Sequence, residues 1–194
     1  MSVPYVIEKG EKGQEKMYDL YSRLLKDRII FVKDVFEDNM ANSVVAQLLF
    51  LESVDKDADI YMYINSPGGV ITSMNCIYDT MCYIKPDIVT LGMGQVASAA
   101  SFILAAGTKG KRFALPNTSI MIHELSSGLD GKFKDMKNAF THTAETHRKM
   151  SEYYSKFTGQ KVEKVMSDME LDFYMTSEEA VSYGLIDDVK INRD

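Results

Sequence analysis

The sequence predicts an α/β fold on a largely parallel sheet, and three observations carry that prediction. Hydrophobic runs alternate with helical patterns through the first two thirds of the chain, the signature of βαβ units. Several of the runs are apolar without alternation, as in strands covered on both faces. A length of 194 residues with 45% hydrophobic content can bury one substantial core, so one domain over residues 1–194 is expected.

The strand-like runs are 29–32, 60–64, 88–91 and 119–122. From Asp38 to Glu52, Ala41, Val44, Val45, Leu48 and Leu49 recur at three- and four-residue steps, a stripe that should dock on the sheet. The segments 70–84 and 98–106 repeat the pattern, with a right-handed crossover expected for each unit. The last third differs. Over 132–157, Phe133, Met136, Phe140, Thr143, His147, Met150, Tyr154 and Phe157 line one side of a helix of roughly seven turns. That is more than a small α/β domain needs for its own core, which implies packing on another subunit. Gly159 is placed to end this helix. A shorter helix starts at Thr176, whose hydroxyl forms a capping box with Glu179.

The composition excludes several functions. A net charge of −6 argues against nucleic-acid or anionic-membrane surfaces, which require basic patches. The two cysteines, Cys76 and Cys82, match neither a CxxC redox pair nor a zinc half-site and read as small buried hydrophobes. Of the three histidines, His142 and His147 read as surface or packing residues, and no carboxylate motif such as HExxH accompanies any of them, so neither metal nor cofactor is expected. No signal-like or membrane-spanning apolar run occurs, and a cytoplasmic chain is the expectation.

Candidate chemistry gathers at strand ends. In Gly92-Met93-Gly94-Gln95-Val96-Ala97-Ser98-Ala99-Ala100-Ser101 a strand runs into small residues and then an apolar helix. A serine there faces unpaired N–H groups that could stabilise an oxyanion, although a plain helix N-cap uses the same residue. Asn65-Ser66-Pro67-Gly68-Gly69 also follows a strand, and its glycines suit either a tight turn or exposed N–H donors. In a parallel sheet the two turns can line one crevice. His123 closes a third strand, within possible reach of Ser98 as a base. Glu124, Asp130, Glu170 and Asp172 are all candidates to orient it, and spacing does not choose among them.

Tyr-Ile-Asn-Ser-Pro-Gly-Gly at 63–69, Met-Gly-Gln-Val-Ala-Ser at 93–98, Gly-Lys-Arg-Phe-Ala-Leu-Pro-Asn at 110–117 and Met-Ile-His at 121–123 resemble the ClpP family of self-compartmentalising serine peptidases. So do 21–31 and 183–187, and the likeness spans nearly the whole chain. The resemblance implies a crotonase-like ββα superhelix with a protruding handle helix, the handle at 124–158 and an axial gate segment at 1–18. It makes Ser98 the nucleophile, His123 the base and Asp172 the third triad member, with Gly69 and Ala99 N–H groups as the oxyanion hole. Val70-Ile71 and Leu125-Ser126-Ser127 would flank a peptide substrate as strands. Tyr61, Tyr63, Tyr83, Leu91, Met93 and Phe113 stand at positions of an apolar partner pocket between subunits. The implied assembly is two stacked heptameric rings enclosing unfolded protein substrates, fed by an ATP-driven AAA+ unfoldase of the ClpX or ClpA/ClpC type. The chain itself has no Walker motif.

Three departures qualify the likeness. Glu124-Leu125-Ser126-Ser127-Gly128 stands where the family usually has Gln-Pro and a glycine-rich turn, Ala99 where it has methionine, and Leu171 where an arginine commonly pairs across rings. Weaker or differently regulated pairing of rings follows as an expectation. Two rival functions remain: a catalytically silent paralogue forming a structural ring in a mixed complex, and an acyl-CoA enzyme on the same scaffold.

Overall fold

The computed structural model describes residues 3–9, 14–126, 128 and 130–193. Met1, Ser2 and residues 10–13 of the expected gate segment, and Ser127 and Leu129 of the expected handle, lie outside them. The remainder of that segment opens the chain as an antiparallel hairpin of β1 (Tyr5–Lys9) and β2 (Glu15–Asp19). Helix α1 (Leu20–Lys26) follows directly because Asp19 caps it, its carboxylate accepting from the Ser22 N–H at 3.0 Å.

The main sheet is built from β3 (Ile29–Lys33), β4 (Ile60–Ser66), β5 (Ile88–Ala97), β6 (Arg112–Ala114) and β9 (Asp188–Val189), hydrogen-bonded in that order and parallel throughout. Helices α2 (Asp38–Val54), α3 (Ile71–Tyr83) and α4 (Ala99–Ala105) connect the successive strands. Strand β7 (Ser119–Ile122) joins the far half of β5 in parallel, and β8 (Phe173–Met175) joins β7 antiparallel. Before β8 come α5 (Phe133–Thr158) and α6 (Val162–Asp168); after it comes α7 (Ser177–Tyr183). Thr176 and Glu179 form the expected capping box on α7, and Gly159 ends α5 at φ 78°. No helix among the described residues is long and apolar enough to cross a membrane.

One buried cluster runs through β3, β4, β5, α2, α3, α4 and the end of α5. Its packing corrects three expectations. Strand β4 is not covered on both faces, since Ile60, Met62 and Ile64 are buried whereas Tyr61 is exposed, while Ile88–Thr90 of β5 and Ile120–Ile122 of β7 are buried without a break. The helices pack on the face that Ile60, Met62 and Ile64 share, and the other face borders an open hollow of about 660 Å³. The α2 stripe docks through Ala41, Val44, Leu48 and Leu51, leaving Leu49 outward. Cys76 and Cys82 are exposed, because Ser73, Met74, Ile77, Tyr78 and Met81 occupy the inward side of α3.

Helix α5 spans most of the expected handle segment. Its buried residues, Met150, Ser151 and Tyr154, all lie in its C-terminal part, while Phe133 and Phe140 are 76% and 64% exposed. Among the described residues, the stripe is buried near its base, where Tyr153, Tyr154 and Phe157 surround Phe102 of α4 edge-on at 5.4–5.8 Å. Nearby, the buried Arg112 guanidinium grips Asp187 through two oxygens at 2.7 and 2.9 Å and donates to the Phe157 carbonyl at 2.9 Å. This joins β6, the end of α5 and the segment entering β9.

Burial pushes the Asp187 carboxyl up, but the bonds from Arg112 outweigh it and hold the group below its ordinary 3.8. A depressed folded-state value means that its stabilisation is complete above the ordinary value and is lost as pH falls through the folded one. Asp187→Ala strands a buried guanidinium and is expected to cost about 3–5 kcal/mol in urea unfolding at neutral pH. The gap between variant and parent should narrow below about pH 4, where Asp187 of the unfolded chain begins to take up a proton that the folded chain resists.

Candidate active site

Three strand ends meet at one place, and the sheet register brings them there. Ala97 of β5 pairs with Met121 of β7 in parallel, and the Ser98 N–H donates to the Met121 carbonyl at 2.9 Å. Ile122 pairs with Phe173 antiparallel, so the residue after β7, His123, lies beside the residue before β8, Asp172. The Glu124 N–H fastens this junction by donating to the Met169 carbonyl at 2.8 Å.

The side chains complete a chain of contacts. Ser98 Oγ lies 2.9 Å from His123 Nε2, and His123 Nδ1 lies 3.4 Å from Asp172 Oδ1. The second contact exceeds the roughly 2.7–2.9 Å of a tight charge-assisted bond, and Asp172 is 53% exposed. Among the described residues, Glu124, Asp130 and Glu170 make no hydrogen bond or ion pair with His123, and of the four candidate acids Asp172 is the one whose carboxylate faces the ring. The plain N-cap reading of Ser98 is set aside, since its hydroxyl makes no capping bond. Instead Ser98 occupies φ 58°, ψ −123°, a conformation a side chain rarely adopts and one that costs about 1–3 kcal/mol.

Gly68 and Gly69 explain how that turn is reached. The Gly68 N–H donates to Ser66 Oγ at 3.1 Å, and Ser66 Oγ in turn donates to the Asp34 carbonyl. The Phe36 N–H donates to the Gly68 carbonyl and the Val70 N–H to the Phe36 carbonyl, tying the turn to the chain after β3. A Cβ on Gly68 would lie 2.6 Å from the Ala97 oxygen, 2.7 Å from Ser98 Cβ and 2.9 Å from the Ala99 nitrogen. Only glycine allows the two turns to touch. The N–H groups of Gly69 and Ala99 have no acceptor among the described residues.

Two sequence expectations about the surroundings change. Val70 is extended but caps α3, and Ile71 is already its first helical residue, because the Pro67-Gly68-Gly69 turn leads straight into the helix. Leu125 and Ser126 belong to no strand among the described residues, and they line a hollow with His123, Met169, Glu170, Leu171 and Asp172. Tyr61, Tyr63, Leu91, Met93 and Phe113 share the open hollow on the sheet face, but Tyr83, 81% exposed at the end of α3, is not in it. The sequence did not foretell the polar rim of that hollow, where Lys111 reaches Asp59 at 2.7 Å and Asp87 at 2.9 Å, or that residues 190–193 border it.

The family model described as Clp protease matches residues 11–193.

Replacing Gly68 by alanine tests the contact between the turns. The new methyl must displace Ala97 and Ser98 and also sits at φ 93°, so about 1–3 kcal/mol of stability should be lost. A crystal structure of the variant should show Ser98 Oγ moved beyond hydrogen-bond reach of His123. An unchanged 2.9 Å separation would refute the role given to Gly68.

Proposed function

The chain belongs to the Clp protease family, and from that premise we propose that it is a serine endopeptidase whose nucleophile is Ser98. The observation that carries this reading is the Ser98 Oγ to His123 Nε2 contact at 2.9 Å, on a strained turn that leaves the hydroxyl no other partner among the described residues. With the Ser98 hydroxyl donating, the imidazole proton sits on Nδ1 and faces Asp172. His123 takes the hydroxyl proton as Ser98 attacks a peptide carbonyl, then delivers it to the leaving amine. The unpaired N–H groups of Gly69 and Ala99 suit the oxyanion formed in between. Water then cleaves the acyl-enzyme by the same route, and the cycle asks for no cofactor.

The hollow beside His123, with Leu125 and Ser126 on one side and Val70 at the adjoining turn, suits an extended peptide. Assembly into two stacked heptameric rings, with unfolded proteins delivered by an AAA+ unfoldase of the ClpX or ClpA/ClpC type, belongs to the same proposal. The exposed apolar stripe of α5 supports the subunit contacts, and the hollow bearing Tyr61, Tyr63, Leu91, Met93 and Phe113 supports an apolar anchor from the unfoldase.

A second reading, a silent or weak paralogue serving as a structural ring in a mixed complex, is favoured by one feature. Leu171 stands 81% exposed beside Asp172, so that position offers no ionic bond to an opposite ring.

Labelling with a fluorophosphonate, read by peptide mapping, separates the two. The serine-peptidase reading expects modification at Ser98 alone, abolished in Ser98→Ala with assembly retained; an unlabelled parent favours the silent paralogue. Asp172→Asn should keep the fold and lower turnover roughly a hundredfold or more, as loss of a tautomer-fixing carboxylate does elsewhere. Unchanged turnover would assign the orienting role to another group.

A further inference from the structure

Behind the candidate nucleophile lies a polar pair that the proton relay does not use. Tyr154, near the base of α5, is 1% exposed, and Ser101 on α4 is fully buried. The Ser101 hydroxyl donates to the Ser98 carbonyl at 2.7 Å, and its oxygen lies 2.9 Å from the Tyr154 hydroxyl. Each hydroxyl carries one hydrogen, so with Ser101 donating to Ser98, Tyr154 donates to Ser101. The Tyr154 hydroxyl is also 3.4 Å from the Ser98 carbonyl, which accepts the Phe102 N–H at 3.2 Å as well. Burial pushes the Tyr154 phenol well above its ordinary range despite the Ser101 bond, keeping it a neutral donor. A two-hydroxyl chain buried in an apolar cluster is more ordered than either bond alone.

The accepting carbonyl belongs to the peptide unit joining Ser98 to Ala99. In a planar trans peptide the C=O and N–H point in opposite directions, so fixing one fixes the other. The N–H of that unit is the Ala99 donor, which has no acceptor among the described residues and lies against the Gly68 turn. An unstrained backbone would need no such hold; Ser98, at φ 58°, sits where relaxation by rotating this peptide is the nearest escape.

We propose that Ser101 and Tyr154 are positioning residues that clamp the Ser98–Ala99 peptide, presetting the Ala99 N–H as an oxyanion donor and linking the base of the handle helix to the reaction centre. The inference rests on the serine-peptidase reading. Neither residue touches substrate. Their effect is confined to the transition state, where the N–H is needed, and leaves substrate binding alone.

The test uses the full assembled chain in four forms besides the parent: Tyr154→Phe, Ser101→Ala, the double variant and Tyr153→Phe. Tyr153 packs on the same Phe102 ring one residue away, but its hydroxyl makes no hydrogen bond among the described residues. Deleting an oxyanion donor outright costs about 10²–10³ in kcat, so loosening one is expected to cost roughly tenfold. Tyr154→Phe and Ser101→Ala should each lower kcat and the fluorophosphonate labelling rate by about that factor with KM unchanged. In a relay, the double variant should fall no further than Ser101→Ala, and Tyr153→Phe should match the parent. Parent-like labelling of Tyr154→Phe, an equal loss in Tyr153→Phe, or a change in KM alone overturns the proposal while the serine-peptidase reading stands. A parent that hydrolyses no peptide and takes no label overturns both.

Discussion

Strand β5 must satisfy two partners along a single edge, and the position of the candidate residues depends on how it does so. Its other edge is taken by β4. Thr90–Gly92 pair with β6, and Gln95–Ala97 pair with β7. A buried strand cannot leave N–H and C=O groups unpaired where it changes partner, so the change occurs over a local irregularity. Ile64 pairs with Gly92 but Ser66 with Val96, two extra residues being accommodated on β5. Gly94 takes φ 65° there, and Asn65 Oδ1 accepts the freed Gln95 N–H at 3.2 Å. The change of partner from β6 to β7 is what brings the end of β5, and with it Ser98, alongside the end of β7, where His123 follows.

The strain at Ser98 is the second consequence. A strand that runs directly into a helix must reverse the direction of its backbone within one residue, and only a positive φ does so in so little space. The cost falls on a residue with a Cβ, and the surroundings offset it: the Ser98 N–H is held by Met121, its carbonyl by Phe102 and Ser101, and Gly68 gives up a side chain to make room. Strain held from several sides in this way leaves the hydroxyl projecting toward His123 rather than folded back as a cap.

The strands, the helices and the pairing of Ser98 with His123 were legible because each rests on a local pattern: apolar runs, three-and-four spacing, and residues at run ends. What escaped was set by nonlocal neighbours. The strand-like run stops at Leu91 in the sequence because Gly92, Gly94 and Gln95 break the apolar pattern, yet β5 continues to Ala97 because β7 supplies its partners. The short strands β6, β8 and β9 carry too few residues for any period to show. The cysteines of α3 were misjudged because their chemistry suggests burial, whereas the helix phase set by Met74, Ile77 and Met81 turns them outward. Choosing Asp172 from four acids required the antiparallel register of β7 and β8, which no spacing encodes. Ser101 is lost in a run of small apolar residues, and Tyr154 is one of several aromatics on a stripe.

The geometry of one chain leaves the third member of the site exposed, and this has an electrostatic consequence. Two unit charges 4 Å apart attract by only about 1 kcal/mol in water, but by about 4 kcal/mol at the lower effective dielectric near a protein surface. Asp172 is half in solvent, and its neighbours Leu171 and Tyr174 are also exposed. In the proposed cycle the carboxylate would therefore hold an imidazolium at His123 weakly while water surrounds it. Any body that covers Leu171 and Tyr174, whether a peptide in the hollow beside His123 or another copy of the chain, removes that water and strengthens the hold without moving an atom of the site. An apolar residue at 171 suits such a covering, since it gains from leaving water where a charged side chain would lose hydration. If the proposed chemistry holds, burial of this edge would couple association to His123 through the dielectric, even though Leu171 offers no ionic partner.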